Sequence, residues 1–473
     1  MKKFTKILLI GCLLVTVSCN NWLDVEPKSQ VKDKDLFASE MGFKEALSGV
    51  YSLMTKEALY GKELTFGWLG VLGQEWTSVP YNYEDDQKYD FENAASEVRI
   101  DSVWTGLYNA IANANKLLKE LEGKENLFSG DNYFIIKGEV LALRAYLHFD
   151  LLRIFGASCT VGMERIAIPY VTEYAPTIFP QEKVGDFVGK VLKDLQDAAK
   201  CLENDPILTG CTVSEIDDNG YLMNRQVHLN YYAVKGLMAR VYLYKGDYAN
   251  AEVCAKEVIG SGCFEWVKQE NLTNESVADL TFSTEHLFAL NIVTLGNIVD
   301  KYLDGGNNSF ALEESRLSEY YGSSYDYRYL YLFKTGVGMS NTLRYLKKYD
   351  QLESVSWAQS YRNKLPLICL PEMYYILAEY RYHSSGDVLE PLNEVCRHRG
   401  VADLSEADLS AFETLLLADY RKEVIGGGQL FFQYKRLNRS VVPGTDVDLA
   451  GEGRYVIPMP KEELENPGWV SNQ

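Results

Sequence analysis

Residues 228–259, HLNYYAVKGLMARVYLYKGDYANAEVCAKEVI, constrain the fold more than any other stretch. Val234, Leu237, Met238 and Val241 recur at helical spacing. Ala251, Cys254, Ala255 and Val258 repeat that spacing. Each set lies on one face of a helix. Between them, Gly246 suits a left-handed helix end, and Asp247 can cap the helix that follows. Ala233, Gly236, Ala239, Ala251 and Ala255 are small enough for the two helices to approach closely.

A helix pair with this turn and these small residues is the tetratricopeptide pattern. One pair cannot bury its own apolar face, so it requires neighbours. Three more are predicted: Gly42–Met54 with Ser102–Leu121, Tyr133–Gly156 with Val184–Leu202, and the two halves of Pro371–Gly400. Ser39 is placed to cap the first helix. Gly386-Asp387 repeats the turn seen at Gly246-Asp247. The predicted fold class is therefore mostly α: a tetratricopeptide-like scaffold of about four helix pairs. Long irregular inserts near 58–99, 203–227 and 264–365 interrupt it. Such inserts carry binding groups on a rigid frame. Residues 416–425 and 430–437 are expected to be helical, and the final RYVIPMPKEELENP a strand or turn.

The N-terminus reads as a targeting segment. Lys2 and Lys3 precede a short apolar run, Ile7–Val17, and then Val17-Ser18-Cys19. The run is too short to span a bilayer comfortably. Small residues before a cysteine resemble a bacterial lipobox, so 1–18 is assigned as signal peptide and Cys19 as the lipidated residue. The mature chain, 19–473, would be a single domain held at a membrane by lipid alone. Of nine cysteines, Cys12 leaves with the signal and Cys19 carries lipid. The odd number remaining cannot all pair internally, and spacing does not define a connectivity.

Charge narrows the function classes. A net charge of −19 opposes nucleic-acid binding, which needs clustered Lys and Arg. No HExxH, GxSxG or Walker loop occurs, and none of the five histidines falls in a catalytic motif. No catalytic residue is assigned. No cofactor is expected; Glu215 to Gln226 only faintly resembles a calcium loop, lacking Asp at its first place and Glu at its twelfth.

Several stretches, in order, resemble one family. They are LDVEP, LFASEMGFKEALSGVYSLM, WTGLYNAIANANKLL, GEVLALRAYLHFDLLRIFG, IPYVTEYAP, AVKGLMARVYLYKGDYANAE, LPEMYYILAE, RKEVIGGGQLFFQYKR and IPMPKEELENP. Together they are similar to the SusD/RagB family of outer-membrane lipoproteins from Bacteroidetes. The resemblance implies a cell-surface protein that captures oligosaccharide. It also implies a partner, a SusC-like TonB-dependent outer-membrane transporter. The alternatives are a peptide-binding RagB-like subunit and a scaffold that binds partner peptides.

Sugar recognition needs flat aromatic faces for pyranose rings, and amides or carboxylates for hydroxyls. The insert WLGVLGQEWTSVPYNYEDDQKYDF supplies both, in Trp76, Tyr81, Asn82, Tyr83 and Asp85. The competing reading makes Trp68 and Trp76 core anchors of the loop. Trp266, Tyr302, Asp304 and Asn307 form the second candidate group. Tyr325, Tyr327, Tyr329 and Tyr331 alternate, which predicts an extended segment with one tyrosine face, read as packing.

Overall fold

The computed structural model describes residues 34–210, 220–322, 324–336, 342–351 and 361–472. Cys19, the signal segment, Glu215 and Asp217 lie outside the described residues.

The four expected pairs form and pack in chain order. Helix α1 (Glu40–Met54) meets α2 (Ala94–Leu121), followed by α3 (Asn132–Phe155) with α4 (Val184–Cys201). Then come α5 (Tyr231–Lys245) with α6 (Tyr248–Gly260) and α7 (Leu370–His383) with α8 (Leu389–His398). Successive pairs touch through α2 with α3, α4 with α5, and α6 with α7, which makes one continuous solenoid. Helices α9 (Phe412–Val424) and α10 (Leu430–Arg436) follow, with α9 against α7.

Local chemistry accounts for these ends. The Ser39 hydroxyl accepts from the Gly42 amide, and Asp247 accepts from the Asn250 amide. Gly246 takes φ +81° and closes α5. The second turn departs from its expected twin. Ser385, not Gly386, takes the left-handed conformation, while the Asp387 carboxylate accepts from Leu389 and Glu390 amides. Helix α2 begins eight residues earlier than its apolar stripe suggests, because Asn93 caps it by accepting from Ala95 and Ser96 amides.

Helix α3 runs through the middle of the frame, and nearly all its residues are buried. Its charged groups are therefore paired. Glu139 accepts from Tyr51 (2.8 Å), Arg225 (2.6 Å) and His228 Nδ1 (2.9 Å), tying α1 and the 203–230 loop to α3. Burial alone would push this carboxyl up; His228 and Arg225 overcome it and hold it at about 2. Arg144 makes two 2.7 Å bonds to Asp194 of α4. His148 sits between the Arg144 carbonyl at Nδ1 (2.8 Å) and the Val171 amide at Nε2 (2.9 Å). Since Val171 must donate, Nε2 accepts and Nδ1 carries the proton. Burial pushes the imidazole down to about 3.

Strands are few and lie in the long third insert. Strand β1 (His286–Asn291) pairs antiparallel with β5 (Lys364–Cys369), from His286 opposite Cys369 to Asn291 opposite Lys364. A smaller sheet has the order β2 (Leu312–Glu313), β4 (Leu343–Leu346), β3 (Phe333–Thr335). The C-terminal RYVIPMP stretch forms no strand and leads into a short 3₁₀ turn at Lys461–Glu465.

Candidate functional site

The first and third inserts meet around Phe310. Rings of Tyr83, Trp76, Phe66 and Tyr302 surround it, with centroids 5.1 to 6.4 Å away. Backbone bonds between Ser78 and Ala311 join the two segments. The polar edge of each ring is met from inside. The Trp76 indole donates to the Phe66 carbonyl (2.7 Å), Trp68 to Asp86 (2.9 Å) and Tyr83 to Glu63 (2.8 Å). Tyr302 donates to Glu57 (2.7 Å) beneath the Lys62 ammonium, which stands 4.5 Å from its centroid. Trp76, Tyr83 and Tyr302 are consequently buried anchors and not open platforms. This corrects their assignment as ligand-facing rings. Large rings whose one polar atom finds an internal partner are cheaply buried, so an insert rich in aromatics needed no ligand to explain it.

The remaining residues of those two groups are at the surface. Tyr81 is 87% exposed, beside exposed Asn82 and Asp85. Asp304 and Asn307 are exposed, and Asp304 pairs with Lys334 at 2.8 Å. Trp266, by contrast, lines a substantial cleft.

That cleft, about 390 Å³, is walled by residues 265–269, Tyr327, Arg397 and His398. Three distant parts of the chain build it. The Trp266 and His398 rings stack with centroids 4.7 Å apart and planes within 7°. Tyr374 continues the aromatic wall 5.2 Å from Trp266. Gln269 accepts from the Tyr327 hydroxyl and donates to that of Tyr331, each at 3.3 Å. Burial lowers His398 below the ordinary imidazole value, so it is a neutral ring at pH 7.

The alternating tyrosines do not form the predicted extended segment. Asp326 accepts from the Arg328 amide and nucleates a helical turn, Tyr327–Tyr331. The turn puts Tyr327 and Tyr331 together, 6.1 Å apart, and sends Tyr329 to Tyr321 and Glu314.

Behind the rings lies a lattice of buried charge. The Arg399 guanidinium binds Glu285 (2.9 and 2.6 Å) and Glu423 (2.9 and 2.7 Å). Glu423 also accepts from Arg328, which in turn holds Asp326 and Asp419. Burial opposes the charge on Glu423; Arg399 and Arg328 outweigh it and hold the carboxyl at about 2. Backbone groups attach to the same lattice: the Val267 amide donates to Glu285 (3.0 Å) and the Tyr327 amide to the Arg399 carbonyl (2.9 Å). All three walls are thus fixed to one ionic block. Gly400 closes α8 at φ +70°, where a Cβ would lie 2.4 Å from the Tyr327 ring. Groups pinned in this way bind without ordering themselves first.

Comparison with known proteins places this geometry in context. A SusD-like family model, described as starch-binding and associating with the outer membrane, matches residues 21–243. A SusD-like protein of Formosa agariphila, P38, is 24% identical over 269 residues, which are 56% of this chain and 47% of that protein. A second from the same organism, P2, is 26% identical over 167 residues, covering 33% of this chain and 30% of its own. The chain thus aligns with about half or less of the length of these curated relatives. Among solved structures, a SusD superfamily protein from Bacteroides thetaiotaomicron superposes with TM-score 0.73 at 22% identity. That match covers 92% of this chain and 100% of the other. A laminarin-binding SusD-like protein gives TM-score 0.64 at 19% identity, covering 91% of this chain and 100% of the other. By its ordered sequence pattern, these matches and its solenoid with inserts, the chain is similar in sequence to the SusD/RagB family over residues 21–243 and shares the fold of its solved members over nearly its whole length.

Proposed function

We propose that this protein captures oligosaccharide at the Trp266 cleft, as a non-catalytic binding protein at the outer membrane. The stacked Trp266–His398 pair over a fixed ionic block carries this reading. Flat, neutral rings suit the apolar face of a pyranose, and Gln269, Lys268 and Glu265 at the cleft supply donors and acceptors for hydroxyls. The starch-binding description of the family model and the laminarin-binding neighbour favour a glycan ligand over a peptide. Lipidation at Cys19 and delivery to a SusC-like TonB-dependent transporter complete the proposal, on the strength of family resemblance. No described helix is long and apolar enough to cross a membrane.

The test is affinity electrophoresis of the mature chain through gels holding starch, laminarin, xylan, mannan or host glycans, with a tryptic peptide mixture as competitor. Retardation by at least one glycan, unaffected by peptides, is expected. Free migration in every gel contradicts the reading, and peptide competition moves it to the RagB-like branch.

A further inference from the structure

A second concavity, about 410 Å³, lies where α2, the 169–179 loop and the C-terminal segment 463–469 converge. We propose that it is a separate binding site for a neutral sugar ring; this rests on the glycan-binding reading above.

The site is built, not incidental. Trp104 forms its floor, with Tyr108 at 4.9 Å and Trp469 at 6.5 Å between ring centroids. The polar edge of every ring is already engaged. Trp104 donates to Glu463 (3.0 Å), Tyr108 to the Pro169 carbonyl (2.9 Å) and Trp469 to the Phe179 carbonyl (3.2 Å). What these rings offer the groove is hydrocarbon, which is what the C–H face of a pyranose requires. Each wall is held from behind. Val171, at the head of the loop, is gripped by His148 and by Asn115, each at 2.9 Å. Gln181 clasps the tail by accepting from the Val470 amide (2.8 Å) and donating to its carbonyl (2.9 Å).

Polar groups sit where ring hydroxyls need them. The Glu463 carboxylate is oriented by Trp104 and by Asn466 (2.8 Å), and each oxygen keeps a lone pair for a hydroxyl. Asn109 lines the same groove from the exposed face of α2. The charge selects the ligand class. Glu463 lies between exposed Glu462 and Glu465, so a uronate or sulfated sugar is repelled and a neutral one is not.

The experiment is calorimetric titration of maltohexaose and laminarihexaose into wild type, Asn109→Trp and Trp266→Ala. Asn109→Trp fills the groove from an exposed helical position, so folding is preserved. Trp469→Ala, which removes a wall, is the complementary variant. Wild type is expected to show one binding equivalent beyond that of the Trp266 cleft. Asn109→Trp and Trp469→Ala lose this equivalent; Trp266→Ala keeps it. If Asn109→Trp binds both hexasaccharides as wild type does while Trp266→Ala abolishes binding, this inference fails and the cleft reading stands. If wild type binds neither hexasaccharide, this inference fails, and the cleft reading stands or falls on the glycan gels. If Asn109→Trp leaves sugar binding intact but prevents co-purification of an outer-membrane protein, the groove is a docking face and the inference is overturned.

Discussion

The middle of the frame and the Trp266 cleft use the same device for opposite ends. Around Glu139, buried charge ties helix to loop, and the hydroxyls of Tyr51 and Tyr221 both donate to the same carboxylate. Around Arg399, an ion-pair lattice of similar density backs a wall whose rings remain partly open. A buried ion pair contributes little net stability over an apolar core of the same shape, but losing one partner is costly. Such lattices therefore specify position. In the frame they specify how elements dock; at the cleft they specify where flat rings stand.

The largest test removes the centre of each lattice. Arg399→Ala removes the cation from Glu285 and leaves Glu423 with Arg328 alone, and Glu139→Ala leaves Arg225 with Asp205 alone; each should cost about 3–5 kcal/mol by urea denaturation. A cost for Arg399→Ala below about 0.5 kcal/mol, as at an ordinary surface site, breaks the comparison on the cleft side.

Gly400→Ala comes next. The positive φ and the Tyr327 contact at 2.4 Å should together cost about 1–3 kcal/mol and weaken glycan retention, since the clash lies in the cleft wall. Full stability with full retention would show that this wall yields freely.

The frame should also respond to acid through His148. Its folded value, about 3, lies below the ordinary 6.5, so the unfolded chain binds the extra proton. Stability from this group is complete above pH 6.5 and falls by about 1.4 kcal/mol per pH unit on acidification, until about pH 3. His148→Gln should flatten that slope between pH 6.5 and 5. An unchanged slope would place the acid sensitivity elsewhere.

What was legible in the sequence follows from what is local. The stripe of α6, the Ser39 cap and the Gly246-Asp247 turn each depend on residues a few positions apart, and each formed as expected. The start of α2 was obscured because SEVRI lacks an apolar stripe and only Asn93 marks it. The tyrosine run misled because alternation of identical residues resembles a strand, whereas Asp326 starts a helical turn. The two proposed binding surfaces were least legible. Trp266 meets Tyr327 and His398, and Trp104 meets Trp469, across separations that leave no trace in a local window. Trp76 and Tyr83 have the composition of a sugar platform, but Phe66 and Glu63 supply the internal partners that bury them.

The most direct measurement is calorimetric titration of laminarihexaose and maltohexaose into wild type and Trp266→Ala, with Tm recorded for both. The account predicts that binding at the Trp266 cleft weakens at least tenfold, about 1.4 kcal/mol, while Tm changes by no more than a few degrees. Equal affinity in a folded Trp266→Ala protein would contradict it.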